Sequence, residues 1–200
     1  MKTVRIIVQV VLAILAVVIT YLIYSGIMKP IDFQKEKDIR YGKVIERLKD
    51  IRTAEVAYKS VYQKFTSSFD TLIQFVKYDS FPVEFKEGSL DDSIAVAKGL
   101  IRRDTIYIAV RDSIFPEGYH IDSLRYVPFT KGVEFGLQAG SIMTGSKLTV
   151  QVFEATALNF DILNGMNRQL VINLNDVAAD FKGLKVGSMK EANNNAGNWE

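Results

Sequence analysis

The stretch Ile6 to Met28, IIVQVVLAILAVVITYLIYSGIM, contains no charged residue and is bracketed by Lys2 and Arg5 before it and Lys29-Pro30 after it. A helix rising about 1.5 Å per residue over this run reaches roughly 34 Å, enough to cross a hydrocarbon core of about 30 Å with some tilt. The apolar part of a cleaved secretory signal is shorter, about 7–15 residues, and ends in a small-x-small site. Here the outer end reads Tyr21-Leu22-Ile23-Tyr24-Ser25-Gly26-Ile27-Met28, with bulky residues at that place and two tyrosines suited to the interfacial aromatic belt. The stretch therefore reads as an uncleaved transmembrane anchor that binds membrane lipid. Lys2, Arg5 and the amino terminus favour the cytoplasmic side, so residues 1–5 are expected to form a cytoplasmic tail and the bulk of the chain to lie beyond the membrane.

From the anchor outward, residues 29–77 read as an amphipathic helical region. Ile39, Val44, Leu48, Ile51, Ala54, Tyr58, Val61 and Phe65 recur at steps of three and four, with one of five, which describes a single apolar stripe on a helix. Glu36 with Arg40 and Glu55 with Lys59 stand at i,i+4 on the other faces, each pair contributing a few tenths of a kcal/mol. Continuous helix from Ile31 to Phe65 would extend roughly 50 Å from the bilayer, and Pro30 is a site for a kink at its root. Ser68 or Asp70 is placed to cap a short second helix, Thr71 to Val76.

Residues 78–189 are expected to form an α+β domain. Asp79-Ser80-Phe81-Pro82 reads as a turn before proline, and Ser89-Leu90-Asp91-Asp92 as a capping box opening a helix that stops at Gly99. Beyond it the apolar period falls from about 3.6 to 2. Asp104–Arg111, His120–Phe129, Val133–Leu137, Lys147–Glu154, Thr156–Leu163 and Gln169–Leu174 are rich in β-branched and aromatic residues, giving about six strands. Asn164-Gly165 has the composition of a tight hairpin turn, and Gly140 to Gly145 of a looser one. Strands this close together pair antiparallel. Residues 190–200 form a polar tail that is disordered by default, except that Trp199, the only tryptophan, has reason to dock in a groove of this chain or of a partner.

Composition removes several chemistries. A net charge of +2 leaves no basic field for nucleic acid. The absence of cysteine excludes disulfides, thiolate metal sites and cysteine nucleophiles. His120 is the sole histidine, so any triad or histidine metal site in one chain depends on it alone. Glu87, Asp91 and Asp92 are hard-oxygen donors for calcium, but their spacing matches no EF-hand loop and helix capping accounts for the two aspartates. Arg102-Arg103 is a charge cluster suited to hydration or to a partner's acidic surface. The aromatic set Phe65, Phe69, Phe75, Tyr78, Phe81 and Phe85 fits no single helix face, and is expected in a core with part of it in an exposed patch. No glycine of the set Gly132, Gly136, Gly140 and Gly145 leads into a helix as a phosphate loop requires. No catalytic residue, metal or cofactor is expected.

A short basic start, one apolar helix, the charged extension Arg47-Leu48-Lys49-Asp50-Ile51-Arg52-Thr53-Ala54-Glu55-Val56-Ala57-Tyr58, a Tyr/Phe-containing segment and an antiparallel sheet together resemble the type IV pilins and the pseudopilins of type II secretion. The likeness covers Lys2 to about Val76. It implies an apolar helix packed in a filament core with the globular part coating the surface. The glycine-ended leader and the glutamate near the fifth position of the mature helix do not occur between Met1 and Ala16, so no functional residue of that family is carried over. The chain also resembles the single-pass assembly-platform proteins of the same machines. The function expected is a structural or scaffold subunit of a bacterial envelope assembly, held in the inner membrane with its domain in the periplasm. Other envelope proteins or further copies would bind through the helix stripe Leu48, Ile51, Tyr58 and Val61, with Trp199 as a further docking residue. The alternative is a periplasmic accessory protein that binds a ligand or polysaccharide.

Overall fold

A computed structural model describes residues 2–87, 102–145, 147–178 and 180–200. The expected capping box, its helix and the acidic pair Asp91 and Asp92 lie outside these residues. One helix, α1 (Lys2–Tyr62), runs without a break from the apolar stretch to the far end of the domain, and it is long and apolar enough to cross a membrane. Pro30 sits inside it. Its missing N–H leaves the Gly26 carbonyl, near the outer end of the apolar run, without a helical donor.

Then follow α2 (Phe69–Tyr78), β1 (Ser80–Glu87), β2 (Arg102–Ala109), α3 (Val110–Ile114), a 3-10 turn (Ile121–Arg125), β3 (Gly136–Met143), β4 (Thr149–Leu158), α4 (Asn159–Ile162), α5 (Arg168–Val177) and β5 (Gly183–Gly187). The class is α+β. Five strands form two antiparallel sheets, a β1–β2 ribbon and a three-stranded β3–β4–β5 sheet, where about six strands were expected.

The differences have local causes. Gln169–Leu174 is helical because the Asn167 side chain accepts from the N–H groups of Gln169 and Leu170, and Val171 and Asn175, one turn apart, both face inward. Asn164-Gly165 accordingly joins two helices rather than two strands. Of His120–Phe129 only a 3-10 turn and a single bridge, Tyr126 to Glu134, are regular. Val133–Leu137 contributes only the start of β3. Lys147–Glu154 and Thr156–Leu163 merge through buried Ala155 into β4, whose last part turns into α4. Gly140 lies within β3, and the hairpin closes between Thr144 and Leu148. Asp79–Pro82, expected to turn, enters β1 directly. β5 was missed because glycine bounds it at both ends. A Cβ on Gly183 would stand 2.1 Å from the Ala157 carbonyl oxygen, and one on Gly187 2.1 Å from that of Phe153, so these strands approach as only glycine permits.

The core forms along α1. Val44, Leu48, Ile51, Ala54 and Tyr58 join α2, the 3-10 turn, β4 and β5 in one buried cluster. Polar groups on the neighbouring faces of α1 pin the domain. Arg40 donates to the carbonyls of Ile162 (3.2 Å) and Asn164 (2.9 Å), capping the end of α4, while Glu36 holds it from below at 2.8 Å. Tyr41 donates to Asn159, Arg47 to the Ser123 hydroxyl at 2.8 Å, and Tyr119 to Asp50 at 2.6 Å. The other expected helix pair is absent among the described residues, since Glu55 is buried and the Lys59 ammonium lies 4.7 Å from the centre of the Phe65 ring. The domain is thus strung along α1 from about Phe33 to Tyr62. It begins only about 8 Å beyond Met28 at 1.5 Å per residue, so little of the expected long helix is bare.

Candidate functional site

The stripe expected to bind partners faces the chain's own domain. Leu48 and Ile51 have no exposed surface, Tyr58 is buried with its ring 5.2 Å from Phe75 and edge-on to it, and Val61 packs partly buried against the same cluster. Association through Leu48, Ile51, Tyr58 and Val61 would therefore require the domain to leave its helix. Trp199 is likewise taken up within the chain. Its ring folds over Gly197 and packs on the core. Around it the tail lines β5: Gly187 N–H donates to Ala196, Asn198 exchanges bonds with Lys185, and Glu200 pairs with Arg52 at 2.8 Å. The tail from Lys190 onward is ordered by these bonds, contrary to the expectation of disorder.

An apolar surface left in water lies on the β1–β2 ribbon. Phe81 opposes Ile108 and Val83 opposes Ile106, so side-chain alternation puts all four on one face, with Pro82 and Tyr107 on the other. Val83, Ile106, Tyr107 and Ile108 are 43%, 50%, 70% and 41% exposed. A two-stranded ribbon is marginal alone. This one is held at its base, where Phe81 meets Phe75 and where Phe81, Ile114, Val56 and Ala57 line an open groove of about 590 Å³ against α1. Val56, on the outer side of α1, is 46% exposed and extends the apolar face onto the helix.

The two ribbon edges differ. Val110 N–H donates to the Asp79 carbonyl at 3.0 Å, directly across the ladder, so hydrogen-bonded rungs alternate from there and include 81/108 and 83/106. Pro82 and Tyr107 occupy a non-bonded rung, which turns the proline nitrogen to the outer edge of β1 and blunts it. The matching edge of β2, with the backbone groups of Thr105, Tyr107 and Ala109, has no such block.

Glu55 is fully buried, accepts the Thr66 N–H at Oε2 (3.1 Å), and has no partner for Oε1 among the described residues. Burial drives its pKa up from 4.5 to about 8, the Thr66 bond opposing. Burial also pushes the Tyr41 hydroxyl up to about 12, so it remains a donor to Asn159. His120 follows β2 and α3 at the entry to the 3-10 turn, near Arg111 and Asp122. The described residues hold no cluster of three or more His, Asp or Glu side chains able to bind a metal, and the side chains of Glu87, Arg102 and Arg103 are outside the description.

No family model matches the chain, and no curated protein or solved structure resembles it.

Sequence reading identified β2 but missed its pairing with β1, because Pro82 argued against a strand there. The signal available was the position of that proline, which is tolerated at an edge.

Proposed function

We propose that the chain is a single-pass protein of the bacterial inner membrane whose periplasmic domain serves as a structural or scaffold subunit of a secretion, pilus-like or comparable envelope assembly, working through protein–protein contacts. The observation that carries this reading is the ribbon, whose Val83, Ile106 and Ile108 form an apolar face in water, with Tyr107 exposed on the opposite face. The first occupant is a second copy. Two β2 edges paired antiparallel make a four-stranded sheet bounded on each side by Pro82, a closed isologous arrangement that ends growth at two chains and joins the two apolar faces. Anchorage of both copies in one bilayer raises their effective concentration for this pairing.

The chain contains no cysteine, so single substitutions report on the pairing directly. In membranes, Thr105→Cys or Tyr107→Cys should yield a disulfide-linked dimer on mild oxidation, while Tyr78→Cys, at a still more exposed position than Tyr107, should not. A photo-crosslinker at Ile106 that captures a different envelope protein would keep the scaffold reading and replace the second copy as occupant. A strictly monomeric full-length protein with no neighbour captured at Ile106 or Tyr107 would end the proposal.

A further inference from the structure

The outward face of α2 carries Asp70, Gln74 and Tyr78 one turn apart, while Phe69, Leu72, Phe75 and Val76 are buried beneath. Three shallow depressions meet on this ridge, and Tyr78 lines every one of them. One opens toward the 3-10 turn, one toward Arg111 and His120, and one toward Tyr62 at the end of α1. Tyr78 is 81% exposed, with its ring in water where the depressions join.

The charges here are largely mutually compensated. Lys77 pairs with Asp122 at 2.6 Å, and Arg125 pairs with Asp70 and, at 3.5 Å, with Glu134. Such pairs hold polar groups in fixed positions without a net field. The side chains of Gln74, Tyr78, Arg111 and His120 have no hydrogen-bond or ionic partner among the described residues. One unpaired guanidinium is too little for a polyphosphate or nucleic acid, whose binding scales with the number of neutralised phosphates. A polar lining also gives little to a purely apolar ligand. A flat aromatic ring with an amide in two of the depressions it lines and imidazole and guanidinium groups in the third is the chemistry that receives successive sugars, whose axial C–H faces stack on the ring while their hydroxyls bond to the polar groups.

We propose that this face binds a glycan chain, with Tyr78 as the stacking platform and Gln74, Arg111 and His120 as its hydrogen-bonding groups. The depressions adjoin one another along the ridge, which suits a chain of several sugar units, and Tyr62, which lines one of them, lies about 50 Å along α1 from Met28, so the face stands well clear of the apolar stretch. This binding is separate from the ribbon contact.

The test uses the full chain in a sugar-free detergent, titrated calorimetrically with three probes: the tetramer of N-acetylglucosamine, cellotetraose and tetragalacturonate. At least one should bind with Kd below about 1 mM, and Tyr78→Ala should weaken it at least about tenfold. Gln74→Ala should weaken it severalfold, and Tyr107→Ala on the ribbon should leave it unchanged. Because the Tyr78 side chain is exposed, Tyr78→Ala should keep the wild-type melting temperature, which separates lost binding from lost folding. A preference for tetragalacturonate that Arg111→Gln abolishes would assign the guanidinium to a sugar carboxylate. No binding of any probe at about 10 mM, or binding that survives Tyr78→Ala intact, would overturn the proposal.

Discussion

Replacing Glu55 by glutamine should remove a pH dependence built into the join between α1 and α2. The folded protein holds this carboxyl without exposed surface, bonded only to the Thr66 N–H, and burial raises its pKa from 4.5 to about 8. In the unfolded chain the same group ionises near its ordinary value. Between about pH 4.5 and 8 the unfolded state has therefore lost a proton that the folded state retains, and stability falls as pH rises through this window. Below it both states are protonated and above it both are ionised, so the contribution is level at either end. At 1.36 kcal/mol per pH unit the whole fall is on the order of 4–5 kcal/mol. Glu55→Gln keeps an oxygen for Thr66 N–H and cannot ionise. The assay is denaturant unfolding of wild type and variant as full chains in detergent, followed by Trp199 fluorescence from pH 4.5 to 8.5. Subtracting the two cancels every other titrating group. The variant should match wild type within about 1 kcal/mol at the acid end and exceed it by several kcal/mol at pH 8. A difference that stays constant across the range would mean that Glu55 does not hold its proton in the folded chain.

Gly187→Ala should cost more than about 2 kcal/mol, because its φ is +75° and a Cβ would meet the Phe153 carbonyl oxygen at 2.1 Å; a melting temperature equal to wild type would contradict the packing of β5 on β4. Truncation after Gly187 removes the packing of Trp199, the Ala196 and Asn198 bonds to β5 and the Glu200–Arg52 pair, and should lower stability by roughly 2–4 kcal/mol in thermal or denaturant unfolding. Arg40→Met should cost on the order of 1–3 kcal/mol by leaving the Ile162 and Asn164 carbonyls without their donor, read as faster amide exchange in α4.

The parts of the fold that were legible are those with local causes. The charge-free run, the 3.6-residue stripe on α1 and the Ser68 cap of α2 act within a few residues of themselves, and each has its element where expected. What failed depended on tertiary context. Val171 and Ile172 have strand propensity, yet the Asn167 cap and the inward pair Val171 and Asn175 make that segment a helix. Gly183 and Gly187 read as breakers until the close carbonyls of Ala157 and Phe153 explain them. For the site the limit is more general. A periodic stripe states that a helix face must be covered without saying by what, and the covering surface here comes from the same chain, from α2 just beyond the helix and from β4 and β5 about a hundred residues on. Tyr78 was legible only as one aromatic among six; its exposure follows from its place at the outer end of α2, which no local pattern encodes.

In this fold α1 is one piece, carrying the apolar stretch and the domain's spine in the same helix. Intact mass measurement of the protein recovered from carbonate-washed membranes tests it most directly. The mature polypeptide should retain Ile6 to Met28 and stay with the membrane pellet. A species beginning beyond Pro30 and released to the supernatant would contradict it.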